Sequence, residues 1–351
     1  MASTIDSLVE NVRELAINQI LDRKFENGEF QEHVEAEVRQ TLKQRMSGFS
    51  FLQPLLDDES IEEIWINRPG EIWFARNGAH GRITQPFSGQ ELVTLVERLI
   101  RSSGRRLDRS TPFIDAQLAN GYRFHAVIPD ITKNHLSLNI RKFTAEPLTL
   151  NDLVGFEVIS EAQAKYLIRE LKMGANLLIS GATQAGKTTL LSALLSALPE
   201  TERVISVEDT FELRCTLPDW VAMQTRPASL EGRFEIDLRR LVRETLRMRP
   251  TRLVVGEVRG AESLDMLIAM NSGVPGLCTI HANSSAEALQ KIRTLPLLAG
   301  SNISSEFLEA AIRSSLNLFV HCVRDAQGFR KVQSIMRISD SQPLTLEQVN
   351  L

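Results

Sequence analysis

The sequence predicts an α/β fold with a mostly parallel sheet in the C-terminal part of the 351-residue chain. Residues 152–340 alternate apolar stretches of strand length with helical patterns, which is typical of parallel strands connected by crossover helices. A glycine-containing segment, residues 181–188, separates the first of these strands from a helix. Residues 49–145 show a different pattern, short strands around turns with one amphipathic helix, and they predict a separate α+β domain.

The first 48 residues predict a short helical extension. Apolar residues recur at spacings of three and four from Ile5 to Ile20, and more weakly from Val34 to Leu42. This is the period of an amphipathic helix. Packing against the rest of the chain and docking to a partner are both open as the role of residues 1–48.

The α+β domain predicted over residues 49–145 contains four strands and one helix. An Arg-Pro-Gly turn at residues 68–70 separates the first two strands. A linker containing no regular pattern is expected over residues 146–151. The predicted strands are residues 61–67, 71–76, 121–128 and 136–142, and the predicted helix is residues 90–102.

The C-terminal domain predicted over residues 152–340 alternates strand and helix throughout. Its apolar runs have the length of strands, and the segments between them have the period of helices. Residues 341–351 are expected to form a tail. The predicted strands are residues 176–180, 204–208, 253–256 and 277–281, and the predicted helices include residues 187–198, 238–249 and 261–272.

Composition and charge are those of an ordinary globular protein. Hydrophobic residues make up 43% of the chain, charged residues 24%, and the formal net charge is −4. That balance argues against a dedicated nucleic-acid binder, so no specific nucleic-acid partner is expected. The three cysteines are far apart and form no CxxC pair, which excludes the usual zinc and disulfide patterns. The sequence contains no run of about 18 apolar residues, so no membrane span is expected.

The segment 181–188 has the pattern GxxxxGK[ST] of a phosphate-binding loop. Its glycines allow backbone N–H groups to close around phosphate oxygens, and the helix that follows favours an anion. Lys187 would bind the β and γ phosphates, and the Thr188 hydroxyl would bind Mg²⁺. The sequence therefore predicts ATP and Mg²⁺ as ligands. The predicted nucleotide-binding residues here are Gly181, Ala182, Thr183, Gln184, Ala185, Gly186, Lys187, Thr188 and Thr189.

Acidic residues end two of the predicted strands. Glu257 follows an apolar strand, and the pair Glu208-Asp209 ends another. Acids at the carboxyl ends of parallel strands point into the crevice where the phosphates bind. We expect Glu257 and Glu208 to orient the attacking water, and we predict these two acids and Lys187 as the catalytic residues. The residues predicted to hold Mg²⁺ are Thr188, Glu208, Asp209 and Glu257. Alternatively, Glu257 is a surface carboxylate at a strand end, and the pair Glu208-Asp209 lies in a solvated turn.

A histidine and an arginine cluster are weaker candidates. His281 ends a predicted strand and is either structural or a polar sensor of the γ phosphate. Arg240, Arg243 and Arg247 are spaced for one face of a helix. They form either a solvated basic face or a cluster that neutralises phosphate charge across a subunit boundary.

Taken together, these motifs resemble the secretion ATPase superfamily, which drives type II and type IV secretion, pilus assembly and conjugation. The resemblance covers about residues 50–335. Four boxes carry it: the phosphate loop, Val207-Glu208-Asp209, Gly256-Glu257-Val258-Arg259-Gly260 and Thr279-Ile280-His281-Ala282-Asn283.

Within that superfamily the chain looks most like the Tad/Flp pilus-assembly ATPases, the CpaF-like branch. Both halves of the chain contribute to this narrower resemblance. The segments that carry it are residues 225–227, 231–232, 246–250 and 257–262, with residues 54–56, 104–106, 121–123 and 140–143 in the N-terminal half.

The resemblance implies a RecA-like ATPase domain preceded by a PAS-like α+β domain. It also implies a homohexamer in which nucleotide lies between the two domains of a subunit, with Arg141 and Arg123 reaching the phosphates. The motor would be cytoplasmic, bound peripherally at the inner membrane to a platform protein of the pilus or secretion system.

Three other interpretations stay open. The type IV secretion and conjugation branch shares the motifs and the hexamer. A RecA-like nucleic-acid translocase would bind single-stranded DNA in a salt-sensitive manner. A small-molecule kinase would use the same phosphate loop and transfer phosphate to an acceptor other than water.

Overall fold

The structure is a computed structural model that describes residues 49–76, 78–101, 106–118, 121–142, 147–228, 233–339 and 344–351. The helical extension predicted over residues 1–48 lies outside them. The chain divides into two compact units, an N-terminal unit, Met1–Ala145, and a C-terminal unit, Glu146–Leu351. Within the described part of the chain, no helix is both long and apolar enough to cross a membrane.

The N-terminal unit contains a six-stranded antiparallel sheet in the order β3-β2-β1-β6-β5-β4. Alternate strand residues, such as Ile64, Ile140 and Phe124, share a core with the apolar side of helix α2. Ser88 caps α2 through a capping box with Glu91. The strands are β1 Ile61–Arg68, β2 Glu71–Arg76, β3 Ala79–Thr84, β4 Phe113–Gln117, β5 Arg123–Val127 and β6 Ser137–Arg141, and the helices are α1 Gln53–Asp57 and α2 Gly89–Ile100.

Four of these strands and α2 match predicted elements to within two residues. The two strands that the sequence did not predict, β3 and β4, form the two edges of the sheet. Neither has the strict apolar alternation of a half-buried strand, because an edge strand leaves more of its side chains exposed. β3 and β4 are strands because they pair with β2 and β5, not because of a pattern in their own sequence.

The C-terminal unit is built on an eight-stranded sheet in the order β14-β13-β12-β7-β11-β10-β8-β9. Every pair from β12 to β9 is parallel, and β13 and β14 are antiparallel additions at one edge. The predicted mostly parallel sheet is therefore confirmed. The strands are β7 Leu177–Gly181, β8 Val204–Glu208, β9 Trp220–Gln224, β10 Arg252–Val258, β11 Gly276–His281, β12 Leu318–Arg324, β13 Arg330–Ile338 and β14 Leu346–Gln348.

Helices cover both faces of this sheet, and two apolar cores result. Consecutive residues of β7 belong to different cores: Leu177 faces α3, α4 and α5, and Leu178 faces α6 to α9. A strand buried on both sides reads as a continuous apolar run. The helices are α3 Leu150–Gly155, α4 Glu161–Lys172, α5 Lys187–Ser196, α6 Leu238–Thr245, α7 Glu262–Asn271, α8 Ser285–Thr294 and α9 Ser305–Ser315.

The structure differs from the sequence predictions at the ends of this unit. Residues 341–351 are not simply a tail, because they include β14, which pairs with β13. Helix α3 begins at Leu150 and is capped by the Thr149 side chain, so regular structure starts inside the expected linker, residues 146–151. The predicted helices at 187–198 and 238–249 also end earlier, at Ser196 and Thr245.

Candidate nucleotide site

The phosphate loop connects β7 directly to α5. Gly186 precedes the helix with φ +90°, in the left-handed region that glycine adopts without strain. Gly181 lies so close to β12 that a Cβ atom there would be 2.5 Å from the carbonyl oxygen of Cys322. The two glycines are thus required for different reasons, one for the turn and one for close packing under the loop.

Lys187 lies at the first position of α5 and is 9% exposed. Its Nζ donates to the carbonyl oxygens of Gly181 and Ala182, at 3.1 and 3.0 Å. These contacts hold the ammonium group over the loop, on the side where N–H groups at the start of a helix attract an anion. Thr188 is partly exposed beside it in the first turn, as a hydroxyl ligand for Mg²⁺ requires.

The residues between the two glycines line an open cradle. Ala182 and Thr183 are exposed, Ala185 is buried in the core under the loop, and Thr189 is exposed on the first turn of the helix. Gln184 has φ +62°, a left-handed conformation that is uncommon for a residue with a side chain. Strain of this kind persists where surrounding contacts impose it.

The contacts at Gln184 come from two arginines that were not among the predicted site residues. Arg330 donates through Nε to the carbonyl oxygen of Gln184 at 2.9 Å, and Arg324 donates through Nη1 to its Oε1 at 2.7 Å. Both lie on the hairpin formed by β12 and β13, about 140 positions later in the chain. No short motif contains them, so only the sheet order places them at the loop.

Glu208 ends β8 and is almost completely buried, with 2% of its surface exposed. Its Oε2 accepts hydrogen bonds from the backbone N–H groups of Glu212 and Leu213, at 2.8 and 2.9 Å. Its Oε1 is buried and has no hydrogen-bond partner among the described residues. Burial raises the pKa of Glu208 to about 7, against the two backbone hydrogen bonds, which lower it.

Asp209 and Glu257 lie at neighbouring strand ends, as predicted, because β8 and β10 pair in parallel with Val207 opposite Val255. Arg259 bridges them. Its guanidinium binds Glu257 Oε2, through Nη2 and through Nε at 2.7 Å, and approaches Asp209 Oδ2 at 3.4 Å through Nη1. Burial raises the pKa of Asp209, while Arg259 lowers it.

Asp209 and Glu257 thus share the Arg259 guanidinium in this structure. Their predicted role in holding Mg²⁺ stays a prediction. Among the described residues, no group of three or more histidine, cysteine or acidic side chains is arranged to hold a metal. Mg²⁺ in nucleotide sites needs only one or two protein ligands besides phosphate oxygens and water. The Thr188 hydroxyl and the unpartnered Oε1 of Glu208 fit that more modest role.

His281 ends β11 directly beside the phosphate loop. It lies opposite Gly181 in the parallel pairing, and the N–H of Ala282 donates to the carbonyl oxygen of Gly181 at 3.3 Å. The side chain is exposed, and the carbonyl oxygen accepts from Lys291 Nζ at 2.7 Å. The position suits a residue that contacts a bound phosphate, and that role stays a prediction.

The arginines of α6 do not form a single basic face. Arg243 binds Asp265 of α7 at 2.7 Å, and Arg239, which the sequence did not single out, binds the other oxygen of the same carboxylate at 2.7 Å. Arg247 lies two residues beyond the last residue of α6 and pairs with Glu244 of that helix. Arg240 is exposed. Part of the predicted cluster therefore joins two helices of one subunit.

Arg123 and Arg141 belong to the N-terminal unit. They lie directly opposite one another on β5 and β6, so their side chains share a face of that sheet. Nη2 of Arg123 is 3.6 Å from Oδ1 of Asp115 on β4. Their predicted reach to the phosphates stays a prediction.

Strand, glycine-containing loop and helix in this arrangement define a phosphate-loop nucleotide-binding protein. The chain matches the family described as "Type II/IV secretion system protein" over residues 45–345, and it belongs to that family. The predicted membership of the secretion ATPase superfamily is thereby confirmed.

Named relatives agree with this. The conjugal transfer protein TrbB of Rhizobium radiobacter is 31% identical over 293 residues, which cover 81% of this chain and 85% of that protein. The type IV secretion system protein PtlH of Bordetella pertussis is 32% identical over 308 residues, covering 80% and 91%. The X-ray structure of the ATPase DotB of Legionella pneumophila has the same α/β fold, with a TM-score of 0.60 at 21% identity, covering 82% of this chain and 80% of that one.

Proposed function

We propose that this chain is an ATP-hydrolysing hexameric motor that powers assembly of a Tad/Flp-type pilus or a related type II/IV secretion system through nucleotide-driven domain movement. The observation that carries the proposal is the placement of Glu208 and Glu257 at neighbouring strand ends, on the sheet that bears the phosphate loop. A phosphate loop alone binds nucleotide, and hydrolysis needs a group that orients water.

In the proposed mechanism Lys187 and the backbone N–H groups of the loop bind the β and γ phosphates. Glu257 orients a water molecule, whose oxygen forms a bond to the γ phosphorus as the bond to the β,γ-bridging oxygen breaks. ADP leaves with the electron pair of that bond, and both protons of the water stay on the inorganic phosphate, one of them after transfer to another phosphate oxygen. Thr188 and Glu208 would hold Mg²⁺, which would supply positive charge to the phosphates.

Glu208 is the less suitable of the two acids for orienting the attacking water. Both backbone hydrogen bonds fall on Oε2, which fixes the carboxyl group and leaves only Oε1 to contact a ligand. Glu257 is held by one side chain, Arg259, which can move when phosphate enters.

Turnover of ATP by the purified chain tests this assignment. Lys187→Ala should abolish phosphate release, because the loop loses its phosphate-binding cation, whereas Lys172→Ala, at an exposed position on α4, should not. Undiminished turnover by Lys187→Ala would refute the proposal. If Glu208→Gln loses more activity than Glu257→Gln, the two acids have the opposite roles.

The assembly and its location belong to the same proposal. We propose a RecA-like fold for the C-terminal unit, a PAS-like fold for the N-terminal unit, a homohexamer, and peripheral attachment to a platform protein at the cytoplasmic face of the inner membrane. Arg141, Arg123 and Arg240 would contribute positive charge to the nucleotide in that assembly. Light scattering with and without ATP tests the hexamer, and a monomer at all concentrations would refute it.

A second candidate is the type IV secretion and conjugation branch. The names of the relatives favour it, since TrbB is a conjugal transfer protein and PtlH a type IV secretion protein. Deletion of the gene separates the two, because loss of pili supports the first candidate and loss of mating or effector transfer supports the second. Salt-sensitive stimulation of ATP turnover by single-stranded DNA would instead indicate a nucleic-acid translocase.

A further inference from the structure

The hairpin formed by β12 and β13 extends past the end of β7 and lies beside the phosphate loop. Cys322 of β12 is opposite Gly181 in the parallel pairing, and β12 continues for two more residues to Arg324. Arg324 and Arg330 form the last pair of the hairpin, directly opposite one another. Their side chains therefore leave the two strands on the same face.

The turn of this hairpin is held by its own hydrogen bonds. Oδ1 of Asp325 accepts from the backbone N–H groups of Gln327 and Phe329, at 3.0 and 2.8 Å. The backbone N–H of Asp325 donates to the carbonyl oxygen of Phe329 at 2.9 Å, and Gly328 has the left-handed φ of +95° that the turn requires. The two arginines are therefore attached to a well-supported backbone.

Both arginines bind Gln184, one at its backbone and one at its side chain. Arg330 Nε donates to the carbonyl oxygen at 2.9 Å, and Arg324 Nη1 donates to Oε1 at 2.7 Å. The stem of Arg330 also lies beside Gly186, since a Cβ atom built on that glycine would be 3.5 Å from Arg330 Cδ. The hairpin therefore contacts both loop residues that have a positive φ, Gln184 at +62° and Gly186 at +90°.

These two left-handed residues give the loop its phosphate-binding shape. Alternation of right-handed and left-handed conformations turns successive backbone N–H groups toward one concave side, where an anion binds. Glycine adopts a positive φ about as readily as a negative one, so Gly186 needs no support. Residues other than glycine have a positive φ in only a few per cent of cases. Gln184 therefore depends on contacts from outside the loop to keep this conformation.

We propose that Arg324 and Arg330 are positioning residues that hold Gln184 in its left-handed conformation and so keep the phosphate loop in the shape that binds nucleotide. This inference rests on the proposed ATPase function, in which the loop binds the β and γ phosphates. When the binding conformation is only fractionally populated, the affinity falls by that fraction. If the loop without these contacts keeps the conformation in about one molecule in ten, the Kd for nucleotide rises about 10-fold.

Removal of one or both guanidinium groups tests the proposal through nucleotide affinity. Arg330→Met keeps the aliphatic stem and removes the hydrogen bond to the Gln184 carbonyl. We expect it to raise the Kd for N-methylanthraniloyl-ADP by about 10-fold, and Arg324→Met/Arg330→Met to raise it further, with kcat at saturating ATP within about threefold of wild type. Arg337→Met, near the other end of β13 where Arg337 pairs with Glu347, is the matched control and should leave the Kd unchanged.

Glycine at position 184 separates support of the loop from direct contact with phosphate. Because glycine adopts the left-handed conformation without help, Arg330→Met in a Gln184→Gly background should change the Kd by less than about threefold. If Arg330 instead acts by binding phosphate itself, its loss raises the Kd about equally in both backgrounds. That result would overturn the proposal, and so would a folded Arg324→Met/Arg330→Met variant with the wild-type Kd.

Two substitutions of Gln184 keep the test decisive if the arginine variants do not fold. Gln184→Ala and Gln184→Gly both remove the acceptor of Arg324 and leave both arginines in place, so they differ in backbone freedom. The alanine variant should bind the labelled ADP at least about threefold more weakly than the glycine variant, and equal Kd values would contradict the proposal. Failure of the proposed function would appear separately, as undiminished turnover in Lys187→Ala.

Discussion

Replacing Glu208 with glutamine should make the stability of this protein less sensitive to alkaline pH. Glu208 ionises with a pKa of about 7 in the folded chain, against an ordinary value of 4.5, because burial disfavours its charge. The folded state therefore binds a proton that the unfolded state has released between these two values. Stability from this group is fully present below the unfolded pKa and is lost as pH rises through the folded pKa.

The size of the effect follows from the same shift. One pKa unit corresponds to about 1.4 kcal/mol, so full ionisation of Glu208 destabilises the folded chain by about 3 kcal/mol. Glutamine escapes this penalty, since its amide oxygen can accept from Glu212 and Leu213 as Oε2 does now. Between about pH 5 and about pH 8.5 the stability of Glu208→Gln relative to wild type should rise by about 2 to 3 kcal/mol.

Urea unfolding followed by tryptophan fluorescence measures this difference. Trp220, which donates to Ser206 in the C-terminal unit, becomes a local reporter when Trp65 and Trp73 of the N-terminal unit are replaced by phenylalanine. Glu235→Gln, which removes an exposed carboxylate from the same unit, is the control. An equal free-energy difference between Glu208→Gln and its parent at both pH values would refute the raised pKa of Glu208.

Three further predictions concern the site and its support. Gly181→Ala should prevent nucleotide binding, measured by calorimetry, because the new methyl group meets the Cys322 carbonyl; binding at wild-type affinity would show that the loop tolerates the shift. Glu257→Gln should bind ATP but hydrolyse it at least about 10²-fold more slowly in a phosphate-release assay, and near-normal kcat would remove Glu257 from its proposed role. Asp265→Asn should lower the melting temperature, since two arginines lose their shared carboxylate. An unchanged melting temperature would show that the ion pairs contribute nothing to stability.

Much of the fold could be predicted because its signals are local. The buried parallel strands are continuous apolar runs, and their predicted positions agree with β7, β8, β10 and β11 to within two residues. In the eight-stranded sheet, the strands that the sequence did not predict are β9 and β12 to β14. They lie outside the four predicted strands, toward both edges of that sheet. Their pairing depends on strands that are distant in sequence. Hydrophobic periodicity and composition are local properties and do not identify such partners.

The residues of the candidate site also separate into those that a local sequence pattern predicts and those that depend on distant contacts. The phosphate loop was predictable because one continuous segment must provide the turn, the N–H groups and the cation. Glu208 and Glu257 were predictable because parallel strands end at one edge. Arg259 was visible in the Gly256–Gly260 box but had no assigned partner until the structure placed it between Glu257 and Asp209.

The sequence by itself determined the parallel α/β architecture, the phosphate loop, the acids at the strand ends and membership of the secretion ATPase superfamily. Only the tertiary structure decided which side chains support the loop. Arg324 and Arg330 hold Gln184, and His321 contacts Ser180. The physical reason is that β12 and β7 lie about 140 residues apart in the chain yet pair directly in the sheet, so their contacts depend on strand order, which no local pattern specifies.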